Sequence, residues 1–113
     1  MSARAQARLW VAQRATAAIL AVCVVAHLAT IIHAVRGGLA AADVLARTRG
    51  SVGVAVFYGV FVLAAAVHGG IGLRTVAIEW LRMRAPAADM FAFVTGVVLA
   101  VLGMRAVFAV VAA

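Results

Sequence analysis

The 113 residues are 68% hydrophobic and 12% charged, with ten basic residues against three acidic ones and a formal net charge of +7. Soluble domains are about half apolar, so the composition excludes an ordinary soluble domain and points to a membrane protein. The basic residues are all arginine and stand at the ends of apolar runs, with no basic patch of interleaved aromatics for nucleic acid, and the lone Cys23 excludes an intrachain disulfide or a cysteine metal cluster.

The first apolar run, Ala15–Val35, follows a basic segment, "MSARAQARLWVAQR". At about 21 residues it suits a spanning helix better than a cleaved signal. Gly37 and Gly38 end it. The stretch "LAAADVLART" then predicts a short interfacial helix with Leu39, Val44 and Leu45 facing lipid. A second span runs from Val52 to Leu73, with Ser51 and Gly53 at its start. A third covers Ala87–Val110, with Pro86 in its first turn and Asp89 near the positive end of its dipole. The expected fold is all-α: one domain over residues 1–113 with three transmembrane helices, part of a larger helical bundle formed with a partner subunit. With the N-terminus inside, Arg4, Arg8, Arg14, Arg74, Arg82 and Arg84 lie inside, and Arg36, Arg47, Arg49 and Arg105 outside. The positive-inside rule therefore mildly favours an inner N-terminus.

At 100° per residue, Thr16, Cys23, His27 and Thr30 form one stripe on the first span. A polar stripe in lipid should face protein, so His27 is expected inside a bundle and His33, off the stripe, at the interface. On the second span Phe57, Phe61, Ala64, His68, Gly72, Thr75 and Glu79 share a face. Gly72 lies one turn from His68, which suggests a slot beside the imidazole for a flat cofactor; close approach of another helix is the simpler use of glycines alone. Gly69 and Gly70 lie off that face and suit helix packing. The third span carries a small-residue seam of Asp89, Ala92, Gly96, Ala100, Gly103 and Val107 without any ligand. Arg105, on the opposite face, is expected to snorkel.

Bis-histidine haem needs two imidazoles at one depth. His27 is about 18 Å into its span and His68 about 8 Å from the same membrane face, at 1.5 Å per residue. A mismatch on the order of 10 Å argues that the two do not share one haem. Each would take a separate haem with a ligand from another chain, or only one is a ligand.

His68, Gly72, Leu73 and Arg74 resemble the His-x-x-x-Gly-Ile-Arg motif of the cytochrome b membrane-anchor subunit of succinate dehydrogenase and fumarate reductase. Glu79 stands where an aspartate is usual. "QRATA" is similar to the family's His-Arg-x-Ser/Thr-Gly: Arg14 and Thr16 match, whereas Gln13 and Ala17 replace the histidine and glycine. The three-span layout resembles the family over nearly the whole chain. The resemblance implies that His68 is an axial ligand of haem b, and that Arg14, Thr16 and Arg74 lie at the inner surface near a quinone pocket, haem propionates or the iron–sulfur subunit. His27 fits members that hold two haems. Trp10 stands where some members place a quinone-binding serine, and either walls a quinone site or joins Trp80 in an interfacial belt.

The implied function is electron transfer between an iron–sulfur subunit and quinone, with haem b as cofactor. The expected partners are a flavoprotein, an iron–sulfur subunit and a second membrane anchor, in a bacterial cytoplasmic membrane. The chain itself has no flavin-binding fold or dicarboxylate site. A haem-free anchor, a haem b subunit of another dehydrogenase and a transporter component are the alternatives.

Overall fold

The computed structural model describes residues 1–112. Four helices follow one another: α1 (Ala3–Gly37), α2 (Ala41–Thr48), α3 (Val52–Glu79) and α4 (Ala85–Val111). Helices α1, α3 and α4 are long and apolar enough to cross a membrane.

The first helix begins well before its apolar run. Ser2 caps it, its hydroxyl accepting from Ala5 N–H at 3.1 Å, and the alanine- and arginine-rich stretch that follows favours helix. At 35 residues, α1 is about 52 Å long and exceeds the ~30 Å hydrocarbon layer. Trp10 and Arg14 therefore ride on a helical extension at the N-terminal end of α1. Gly38, with φ 121°, turns the chain out of the helix, and Arg47 donates to its carbonyl at 2.9 Å.

Helix α2 is shorter and more engaged than its sequence suggests. Leu39 is exposed, but Val44 and Leu45 are half-buried, because α2 packs on the far end of α4. The Thr48 hydroxyl donates to Val110 O at 2.6 Å, and Gly50 N–H donates to Val111 O at 2.8 Å. These bonds satisfy two carbonyls that the end of α4 would otherwise leave open.

Ser51 caps α3, accepting from Val54 N–H at 3.2 Å. The helix continues past Leu73 to Glu79, so its C-terminal end, with Arg74, Thr75 and Glu79, remains helical. The tight reversal into α4 passes through Arg82 at φ 54°. Pro86 occupies the first turn of α4, where its missing N–H costs nothing.

Helix α3 is central and packs against both α4 and α1. Small residues set the α3–α4 approach, as the seam predicts. A Cβ on Gly70 would lie 3.3 Å from the backbone oxygen of Ala92, and one on Gly96 would lie 3.5 Å from that of Ala66. Gly103 faces Val62, and Gly69 faces Leu99. Ala66, Ala77, Ala88 and Val107 are buried. With lipid outside, packing of this kind rather than hydrophobic burial holds such helices together. Along α1 and α3 the antiparallel register is regular: Gln13 meets Gly72, Thr16 meets His68 and His27 meets Tyr58.

Candidate functional site

The α1–α3 interface carries two imidazoles, each held by a hydroxyl from the opposite helix. His68 Nδ1 lies 3.3 Å from Thr16 Oγ1. That hydroxyl also lies 2.8 Å from Ala12 O and 3.1 Å from Gln13 O, the back-bonding of a threonine within its own helix. His27 Nδ1 lies 2.8 Å from the Tyr58 hydroxyl. Tyr58 is 3.4 Å from Thr30 Oγ1, which donates to His27 O at 2.7 Å. Rings of Tyr58 and Phe61 stand edge-on to the His27 imidazole, with centroids 5.4 and 5.7 Å away. Both Nε2 atoms lack a hydrogen-bond partner among the described residues.

His68 and Tyr58 are ten residues apart on α3, or about 15 Å along the helix. The imidazoles of His68 and His27 thus stand at separate depths, as the span lengths predict.

The slot expected over Gly72 is taken. Gln13 Nε2 would be 3.5 Å from a Cβ on that glycine, so Gly72 lets α1 and its glutamine come close instead of leaving a gap beside His68. Gln13 Oε1 is enclosed and has no partner. A buried amide oxygen without a donor is uncommon and marks a place where a further polar group fits.

Arg74 is mostly buried and forms an ion pair with the half-exposed Asp89, tying the C-terminal end of α3 to the start of α4. Both residues border an apolar groove of about 600 Å³ between α1 and α4, with Leu9, Ala12, Gly70 and Phe93 among its walls. Neither His68 nor His27 lines it.

The residues expected near quinone divide between two faces of α1. The Arg14 guanidinium sits 5.1 Å over the Trp10 ring, and both side chains are exposed. Such a cation–π contact holds the pair flat at the membrane surface. Thr16 points the other way, into α3. His33 is exposed near the outer end of α1.

Tyr58 and Gln13 escape the helical-wheel reading. Tyr58 lies one position off the Phe57 and Phe61 stripe, and Gln13 reads only as a departure from a motif. The antiparallel register is the signal that finds both: it sets Tyr58 opposite His27, and Gln13 opposite Gly72.

Three apolar helices of membrane length, two half-buried imidazoles between helices and an arginine-rich N-terminal end define a multi-pass membrane anchor. The model of the succinate dehydrogenase/fumarate reductase transmembrane subunit family matches residues 1–103, and the chain belongs to that family. No curated protein and no solved structure matches it.

The donor set suits haem. Among the described residues no three His, Cys, Asp or Glu side chains gather to hold a bare metal ion. A porphyrin supplies its own equatorial nitrogens and asks the protein only for axial ligands. Single imidazoles with a hydroxyl on Nδ1 and nothing on Nε2 fit that demand.

Proposed function

We propose that this chain is the haem b-binding membrane anchor of a succinate dehydrogenase/fumarate reductase complex, passing electrons between the iron–sulfur subunit and quinone. The observation that carries the reading is His68, half-buried at the α1–α3 interface with Nδ1 engaged and Nε2 unpartnered. Haem b, when bound, supplies a one-electron relay. His68 would hold the haem iron, and His27 would hold that of a second haem at the other depth. The opposite ligands come from another chain, here a second membrane anchor. Arg74 keeps its terminal guanidinium nitrogens for a propionate while its Nε serves Asp89. Gly72 supports the site indirectly, by admitting Gln13. Trp10 and Arg14 form the rim of a quinone entry at the inner surface, where the flavoprotein and iron–sulfur subunits dock. The membrane is the bacterial cytoplasmic membrane, with the N-terminus inside.

One observation favours a second reading, a haem-free quinone anchor. Gln13 fills the space over Gly72, and a histidine bonded across two helices has a structural use of its own. Purification in mild detergent separates the readings. Flavin and iron–sulfur subunits are expected to copurify with a b-type reduced-minus-oxidised spectrum; copurification without that spectrum supports the haem-free anchor.

A further inference from the structure

Resting on the reading of His68 as a haem ligand, we infer that Thr16 is the positioning residue of that ligand: it keeps the imidazole proton on Nδ1 and the lone pair on Nε2. The assignment comes from counting protons. The Thr16 hydroxyl has one proton and two lone pairs. Ala12 O stands 2.8 Å away and Gln13 O 3.1 Å away, and both are pure acceptors. Two oxygens at 2.8 Å with no proton between them repel, so the hydroxyl proton belongs to the backbone carbonyls of α1. The lone pairs of Oγ1 then face His68. At 3.3 Å, the only proton that can lie between Thr16 and the ring is that of Nδ1–H. The neutral imidazole carries one such proton, which leaves Nε2 as the acceptor.

Thr16 acts in two ways. It fixes the tautomer in which Nε2 can bind iron. It also holds the ring across the helix interface, because its own rotamer is locked by the α1 backbone. An acceptor on the distal ring nitrogen of a metal-bound imidazole raises the basicity of the ligating one. This role differs from the quinone contact that the motif assigns to Thr16, and the geometry is on the side of α1 opposite Arg14.

The test uses the complex purified in mild detergent, with haem per chain and haem midpoint potential as readouts. Four forms are compared: wild type, Thr16→Val, Thr16→Ser and His68→Ala. Valine keeps the shape of threonine without the hydroxyl. Thr16→Val is expected to bind haem 10- to 100-fold more weakly, as loss of an outer-shell partner does. Its remaining haem is expected at a higher midpoint, because a less basic imidazole stabilises the ferric state less. Thr16→Ser is expected to restore wild-type values, which a purely structural role for the side chain would not require. If Thr16→Val does not assemble, Thr16→Ala, with no methyl pressed on the ring, is read the same way. A wild-type haem content and midpoint in the hydroxyl-free variant, with haem lost in His68→Ala, overturns the role of Thr16 and leaves the ligand in place. Haem retained in His68→Ala overturns the ligand and this inference with it.

Discussion

Single residues carry the chemistry of this chain, and their neighbours decide what each can do. His27 illustrates the point. His27 Nδ1, the Tyr58 hydroxyl and the Thr30 hydroxyl are linked in turn, and Thr30 donates to the His27 carbonyl, a closed ring of contacts spanning two helices. Removing the tyrosine hydroxyl opens the ring. Tyr58→Phe is expected to cost about 0.6–1 kcal/mol, the usual worth of such a bond between membrane helices, measured by unfolding in detergent. His27→Ala is expected to lower the haem-to-protein ratio without abolishing the b-type spectrum; an unchanged ratio removes the second haem. Much of this scale is legible in the sequence. An ionisable ring in an apolar span announces itself, and a 100° wheel turns it inward. Which hydroxyl meets which ring is not legible, because that depends on the register of two helices far apart in the chain. Thr16 falls on the predicted stripe, yet nothing local says that it meets His68. Arg74 likewise reads only as a motif residue, and its pairing with Asp89, on another helix, is not legible in the sequence.

At the scale of elements, glycine has two meanings here, and the sequence separates them only in part. Gly69 and Gly70 lie off the histidine face and do pack on α4, as their angular positions predict. Gly72 shares the histidine face, and the space above it is filled by a side chain of α1. The difference is the partner: over Gly72 the long Gln13 side chain reaches across, whereas over Gly70 α4 offers the backbone of Ala92 and Gly96. A direct contrast follows. Gly70→Ala puts a Cβ 3.3 Å from a backbone oxygen that cannot rotate away, and is expected to destabilise the α3–α4 pair by about 1–3 kcal/mol through overpacking. Gly59 has open space around it, so Gly59→Ala is expected to be neutral or to gain up to about 1 kcal/mol from helix propensity. Thermal inactivation of the two variants in the same detergent checks the pair. The helix ends were less legible than the spans. Apolar runs mark what lies in lipid, but both α1 and α3 continue past them, α1 because its N-terminal end is rich in the good helix formers alanine and arginine.

The whole molecule is a thin bundle, 49 × 24 × 23 Å, with few buried side chains and broad apolar surface on all three long helices. Lipid accounts for much of that exposure. The rest follows from the haem reading, since His68 and His27 stand about 15 Å apart in depth and a haem held by two imidazoles must take its second from another chain. The fold class was readable from hydropathy alone, and the family from one short motif with the three-span layout. The central claim is that His68 binds haem b, and the most direct measurement is the reduced-minus-oxidised spectrum of the purified complex in wild type and in His68→Ala. A b-type signal is expected in the wild type, with its loss or sharp reduction in the variant while the subunits still copurify. A full signal and unchanged haem content in His68→Ala would contradict it.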